Sequence, residues 1–74
     1  MKKNYTILGS TPGDGYCVEA TSIKDALIKK MIFSDGLDKK TAIEQFDLVP
    51  VVKSHYPERF IWGDYEIIPE VEVI

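Results

Sequence analysis

With one cysteine, Cys17, the chain cannot close an intramolecular disulfide, and with one histidine, His55, it has no cysteine–histidine cluster of zinc spacing. A 74-residue chain is therefore left with its hydrophobic core, which at this size supplies only roughly 3–5 kcal/mol. Association with a second copy or docking on another protein is the remaining common way to complete so small a fold, and a homodimer is expected on that ground. No apolar run reaches the length of a membrane span. The short run after Lys2 and Lys3 stops at Gly9 and Ser10, too soon for a signal-peptide core, so a small soluble protein of the cytoplasm is expected. Basic surface is also scarce. Nine Lys and Arg against twelve Asp and Glu leave a net charge of −3, which opposes direct nucleic-acid binding, since that relies on cationic surface to displace counterions from phosphate.

What is present is ordinary globular material, 45% hydrophobic and 28% charged, with no repeat and no low-complexity linker. A single domain over residues 1–74 is expected. The charge is unevenly spread: residues 1–40 hold seven Lys against five Asp and Glu, whereas residues 41–74 hold Lys53 and Arg59 against seven Asp and Glu.

The clearest local signal is Phe60-Ile-Trp-Gly-Asp-Tyr-Glu-Ile-Ile-Pro69. Gly63-Asp64 is a two-residue hairpin turn with Gly at the position that requires positive φ. It sets Trp62 opposite Tyr65, Ile61 opposite Glu66 and Phe60 opposite Ile67, so Phe60, Trp62, Tyr65 and Ile67 share one face. Asp64, Glu66, Glu70 and Glu72 fall on the other parity, with Ile68 and Ile74. A one-residue slip would bury those carboxylates, which makes the register firm. Pro69 cannot donate a ladder hydrogen bond, and this predicts an edge strand with a bend near that residue.

Upstream, Tyr5–Leu8 and the alternating Tyr16–Thr21 predict two strands that pair across the Gly- and Pro-rich loop from Gly9 to Gly15. Ser22 with Asp25 three residues on is a variant capping box. It opens a helix whose apolar stripe runs through Ile23, Leu27 and Met31, flanked by Ile28 and Ile32. Lys24 and Lys30 border that stripe and are expected to lay their stems on apolar surface while the ammonium groups stay wet. Gly36 stops this helix, and Leu37-Asp38 begins a second one through about Phe46, buried along Ala42, Ile43 and Phe46. Leu48–Val52 reads as a short strand that Pro50 confines to an edge or a bulge. The expected fold is α+β, in the order β-β-α-α-β-β-β, with a mainly antiparallel sheet and two short helices packed on one face.

Chemistry is not legible in this chain. The Gly9–Gly15 loop lacks the Lys-Ser/Thr of a phosphate-binding loop and leads into a strand, without a helix dipole to meet an anion. Cys17 has Glu19 as its neighbour two residues on, not the electropositive setting of a nucleophilic thiol, and His55 decorates a loop. Glu66, Glu70 and Glu72 lie along one strand face instead of across a cleft, and no loop carries the alternating oxygen ligands of a calcium site. No enzyme activity, catalytic residue, cofactor or metal is expected. Two readings remain. One is a non-enzymatic protein-interaction or regulatory module. In the other, Asp64, Glu66, Glu70 and Glu72 imitate nucleic-acid phosphate and bind the basic groove of a DNA- or RNA-handling enzyme, as acidic inhibitors of phages and mobile elements do.

Overall fold

The computed structural model describes residues 2–9, 15–55 and 58–69. They form β1 (Lys3–Leu8), β2 (Gly15–Ala20), α1 (Ile23–Phe33), α2 (Lys39–Leu48), β3 (Val52–Lys53), β4 (Phe60–Trp62) and β5 (Tyr65–Pro69). The α+β class and the β-β-α-α-β-β-β order agree with the sequence expectation. One five-stranded sheet runs β2-β1-β5-β4-β3, and every neighbouring pair is antiparallel. Both helices lie on the same face of it, over a core of Tyr5, Ile7, Ala20, Trp62 and Ile67 from the sheet and Ala26, Leu27, Met31 and Ala42 from the helices.

The β4–β5 hairpin has the register its turn dictates. Gly63 takes φ +60°, a conformation that costs a residue without Cβ little, and Trp62 pairs with Tyr65, Ile61 with Glu66 and Phe60 with Ile67. The expected edge position is overturned. β5 is the central strand, hydrogen-bonded to β4 on one side and to β1 on the other, with Ile7 opposite Ile67 and Tyr5 opposite Pro69. Proline is tolerated there because β4 ends opposite Ile67, so at Pro69 only the β1 side runs alongside among the described residues.

Ser22 caps α1 as expected: its Oγ accepts the Asp25 N–H at 3.0 Å. The Asp25 carboxylate reaches back one residue further than in a standard box, accepting the Thr21 N–H at 3.1 Å and its hydroxyl at 3.3 Å. The Thr21 N–H bond is the largest of the interactions that hold the Asp25 pKa below its usual value; burial opposes it, and Lys29, 3.4 Å away on the next turn, adds to it. At the other end Gly36, with φ +73°, lets the Leu37 N–H return to the Met31 carbonyl at 3.1 Å. The buried row of α1 is Ala26, Leu27, Lys30 and Met31, with Ile23, Ile28 and Ile32 half-buried beside it. Asp38 caps α2 by position but makes no side-chain cap bond.

The stretch expected as a strand from Leu48 to Val52 divides differently. α2 continues to Leu48, and β3 begins only at Val52. Val49 precedes Pro50, and the proline ring forces it out of the helical region to φ −127° and ψ 125°. The helix therefore stops at the last residue before that constraint, and not at Phe46.

Candidate interaction surface

An antiparallel sheet with one wet face reads as clean alternation, apolar inward and polar outward. Here the alternation fails on both β4 and β5, and the failure is informative. On β4, Ile61 stands outward between Phe60 and Trp62; on β5, Ile68 stands outward beside the fully buried Ile67. Strand pairing aligns one row across the whole outer face, Val52, Ile61, Glu66, Leu8 and Gly15. Beside it Ile68, Thr6 and Cys17 line up. Leu8 is 37% and Val52 50% exposed, so this side of the sheet has an apolar patch that no described element covers.

At the middle of the patch the Arg59 guanidinium meets the Glu66 carboxylate at 2.8 Å. Both side chains remain partly open, 40% and 28%. The surface thus offers one positive and one negative group side by side, ringed by Ile61, Ile68 and Leu8. It can bury apolar area against another protein, and it requires that protein to meet a charge pair.

The sequence-predicted residues are placed as follows. Glu66 has the outward parity expected of it, but it lies mid-sheet with its charge matched by Arg59. Asp64 is exposed in the hairpin turn. Glu70 and Glu72 lie outside the described residues, as do residues 10–14 of the glycine-rich loop. Cys17 sits exposed on β2, with its Sγ 3.7 Å from the Thr6 hydroxyl, while His55 follows β3. β2 and β3 are opposite edges of the sheet, about 19 Å apart at strand spacing, so thiol and imidazole do not meet. Among the described residues no group of three or more His, Cys, Asp or Glu is arranged to hold a metal ion, and no helix is long and apolar enough to cross a membrane. The outward apolar residues Leu8, Val52 and Ile61 were not singled out by the sequence reading. Their signal is consecutive apolar residues, such as Phe60-Ile61-Trp62 and Ile67-Ile68, which cannot all face one core.

The hairpin that carries Ile61 and Glu66 is anchored from behind. Trp62 is stacked between Phe46 of α2, 6.1 Å away, and Tyr65, 6.2 Å away. Its indole N–H donates to the Phe46 carbonyl at 3.3 Å. Lys30 corrects the expectation of a wet ammonium. It is 5% exposed, lies 4.1 Å from the centre of the Tyr65 ring, and donates to the Tyr65 hydroxyl at 3.0 Å and to both Asp35 oxygens at 3.0 and 3.2 Å. The reason is its place on the sheet-facing row of α1, where acceptors from the hairpin and the α1–α2 turn converge.

Burial works to lower the Lys30 pKa, but the bonds to Tyr65 and Asp35 outweigh it and hold the group above its ordinary 10.5. Because the folded value is raised, the stabilisation is fully present below the unfolded pKa and is lost as pH rises through the folded one. Lys30→Met keeps most of the stem and removes the ammonium, leaving the Tyr65 hydroxyl and Asp35 without their donor. It is expected to cost about 1–3 kcal/mol in urea unfolding at neutral pH. The gap between wild type and variant should stay constant up to pH 10.5 and close above the raised value; a gap that persists in strong alkali would show that the ammonium is not its source.

Comparison with known proteins adds no identity to this geometry: no family model matches the chain, and no curated protein or solved structure matches it either.

Proposed function

We propose that the protein is a non-enzymatic interaction module and that it docks through the outer face of its sheet. The observation that supports this is the apolar patch of Leu8, Val52, Ile61 and Ile68 around the Arg59–Glu66 pair, which no described element covers. A sheet face with consecutive strands turning apolar residues outward is costly to leave in water, at about 25 cal/mol per Å², and contiguous patches of this kind mark interaction sites. The acidic-mimic reading draws less support from the same geometry, because Glu66, the central carboxylate of its stripe, already faces a guanidinium.

Two substitutions separate the readings. Ile61→Lys introduces a charge on the outer face and leaves the helix-side core intact, so the circular-dichroism spectrum should be unchanged. In affinity capture from the cells that make the protein, this variant is expected to lose the partner that wild type retains, while Asp64→Asn retains it. Retention by Ile61→Lys together with loss by Asp64→Asn would reject the apolar face and favour the carboxylates.

A further inference from the structure

Resting on that docking face, we infer that its occupant is a second copy of this chain, packed face to face about a two-fold axis that passes beside the Arg59–Glu66 pair. A two-fold interface is isologous, so every group on the face meets a group of the same face. Most partners would have to supply a carboxylate and a guanidinium in the right order to cover this centre. The same face turned through 180° supplies them automatically: Arg59 of one copy comes over Glu66 of the other, and Glu66 over Arg59. Two such pairs lie antiparallel as a four-charge cluster, in which each charge gains a second opposite neighbour against the desolvation that burial costs it.

The rest of the face fits the same occupant. Leu8, Ile61 and Ile68 border the charge pair, so apolar side chains meet apolar side chains around a charged centre, as in the aligned packing of two sheets. The other formal charges of described residues on this side lie at its margins, away from the proposed axis: Lys2 and Glu19, 4.0 Å apart at the β2 edge, and Asp64 in the hairpin turn. The size of the face sets the strength. Five strands of two to six residues make a face about 24 Å wide and at most about 20 Å long, with an area of about 360 Å² at strand spacing. That is roughly half of what a standard interface buries per partner, so the dimer belongs among the weak, concentration-dependent associations.

Charge reversal tests this directly by sedimentation. Wild type should dimerise across the micromolar range. Arg59→Glu puts two carboxylates at the centre of each face and Glu66→Arg puts two cations there, so each variant alone should dissociate, with Kd raised at least about a hundredfold. An equal mixture of the two should dimerise again, because each face now opposes its complement. The double variant, with both reversals in one chain, should self-associate like wild type, and it restores the internal pair should either single variant fold poorly. Circular dichroism and Trp62 fluorescence confirm that each variant is folded.

Wild type sedimenting at the mass of one chain throughout would overturn the second copy as occupant; so would a dimer indifferent to both single reversals. The docking face itself is judged separately. If wild type is monomeric but Ile61→Lys still loses its captured partner, only the identity of the occupant has failed. If Ile61→Lys alters neither self-association nor capture, the docking face has failed with it.

Discussion

Trp62→Ala is expected to leave the chain largely unfolded at room temperature. Trp62 is 8% exposed and bridges α2 and the hairpin, stacked between Phe46 and Tyr65. Truncating a buried aromatic to alanine costs about 3–5 kcal/mol, which is comparable to all the stability a domain of this size commonly has. Two further losses add to the cavity. The Phe46 carbonyl at the end of α2 gives up its indole donor, and the Tyr65 ring, which also faces Lys30, loses the surface it stacks on. Far-UV circular dichroism during urea titration checks the result. A variant with the wild-type midpoint would mean that the stack contributes nothing and that the hairpin is held by its ladder alone.

Ile67→Ala and Ile68→Ala, one residue apart, are expected to part company. Ile67 is fully buried at the centre of the sheet, opposite Ile7 on β1 and Phe60 on β4. Its loss should cost about 2–5 kcal/mol, since a central position flanked by two strands cannot collapse to fill the space. Ile68 faces outward, half-buried. It removes less surface from water within one chain, so Ile68→Ala should cost only about 1 kcal/mol. Its effect should appear instead in docking, as weaker self-association in the sedimentation experiment. Urea midpoints followed by Trp62 fluorescence measure the first difference. Equal destabilisation by the two substitutions would contradict the assignment of the faces, because it would require Ile68 to be packed as tightly as Ile67 inside a single chain.

The two positions also show where reading the chain from its residues succeeds and where it stops. The parity of Phe60, Trp62, Tyr65 and Ile67 was legible because a Gly-Asp turn fixes register locally, over a few bonds. The cap at Ser22 and the stop at Gly36 were legible for the same reason: each is a contact within one turn of helix. Lys30 was misread as wet because its acceptors, Asp35 and Tyr65, are brought to it by the α1–α2 turn and by a strand 35 residues away. Pro69 was misread as an edge marker because a missing N–H constrains only the flank it would have served, and nothing in the local sequence says which flank is occupied. The outward isoleucines were written in the chain as Ile61 and Ile68, but without the sheet order they were an irregularity and not a surface.

The sequence by itself therefore determined the order of the elements, the β1–β2 and β4–β5 hairpins and the inward face of β4 and β5, all consequences of turn chemistry, capping and side-chain period acting over short separations. Only the tertiary structure decided that β1 and β5, from opposite ends of the described chain, lie side by side at the centre of the sheet. That pairing depends on the balance between the entropy of closing a long loop and the burial gained when Tyr5 and Ile7 meet Ile67, a sum over the whole molecule that no local window contains. The same pairing moved Glu66 from an expected edge to the middle of the outward face, beside Arg59 and among Leu8, Ile61 and Ile68.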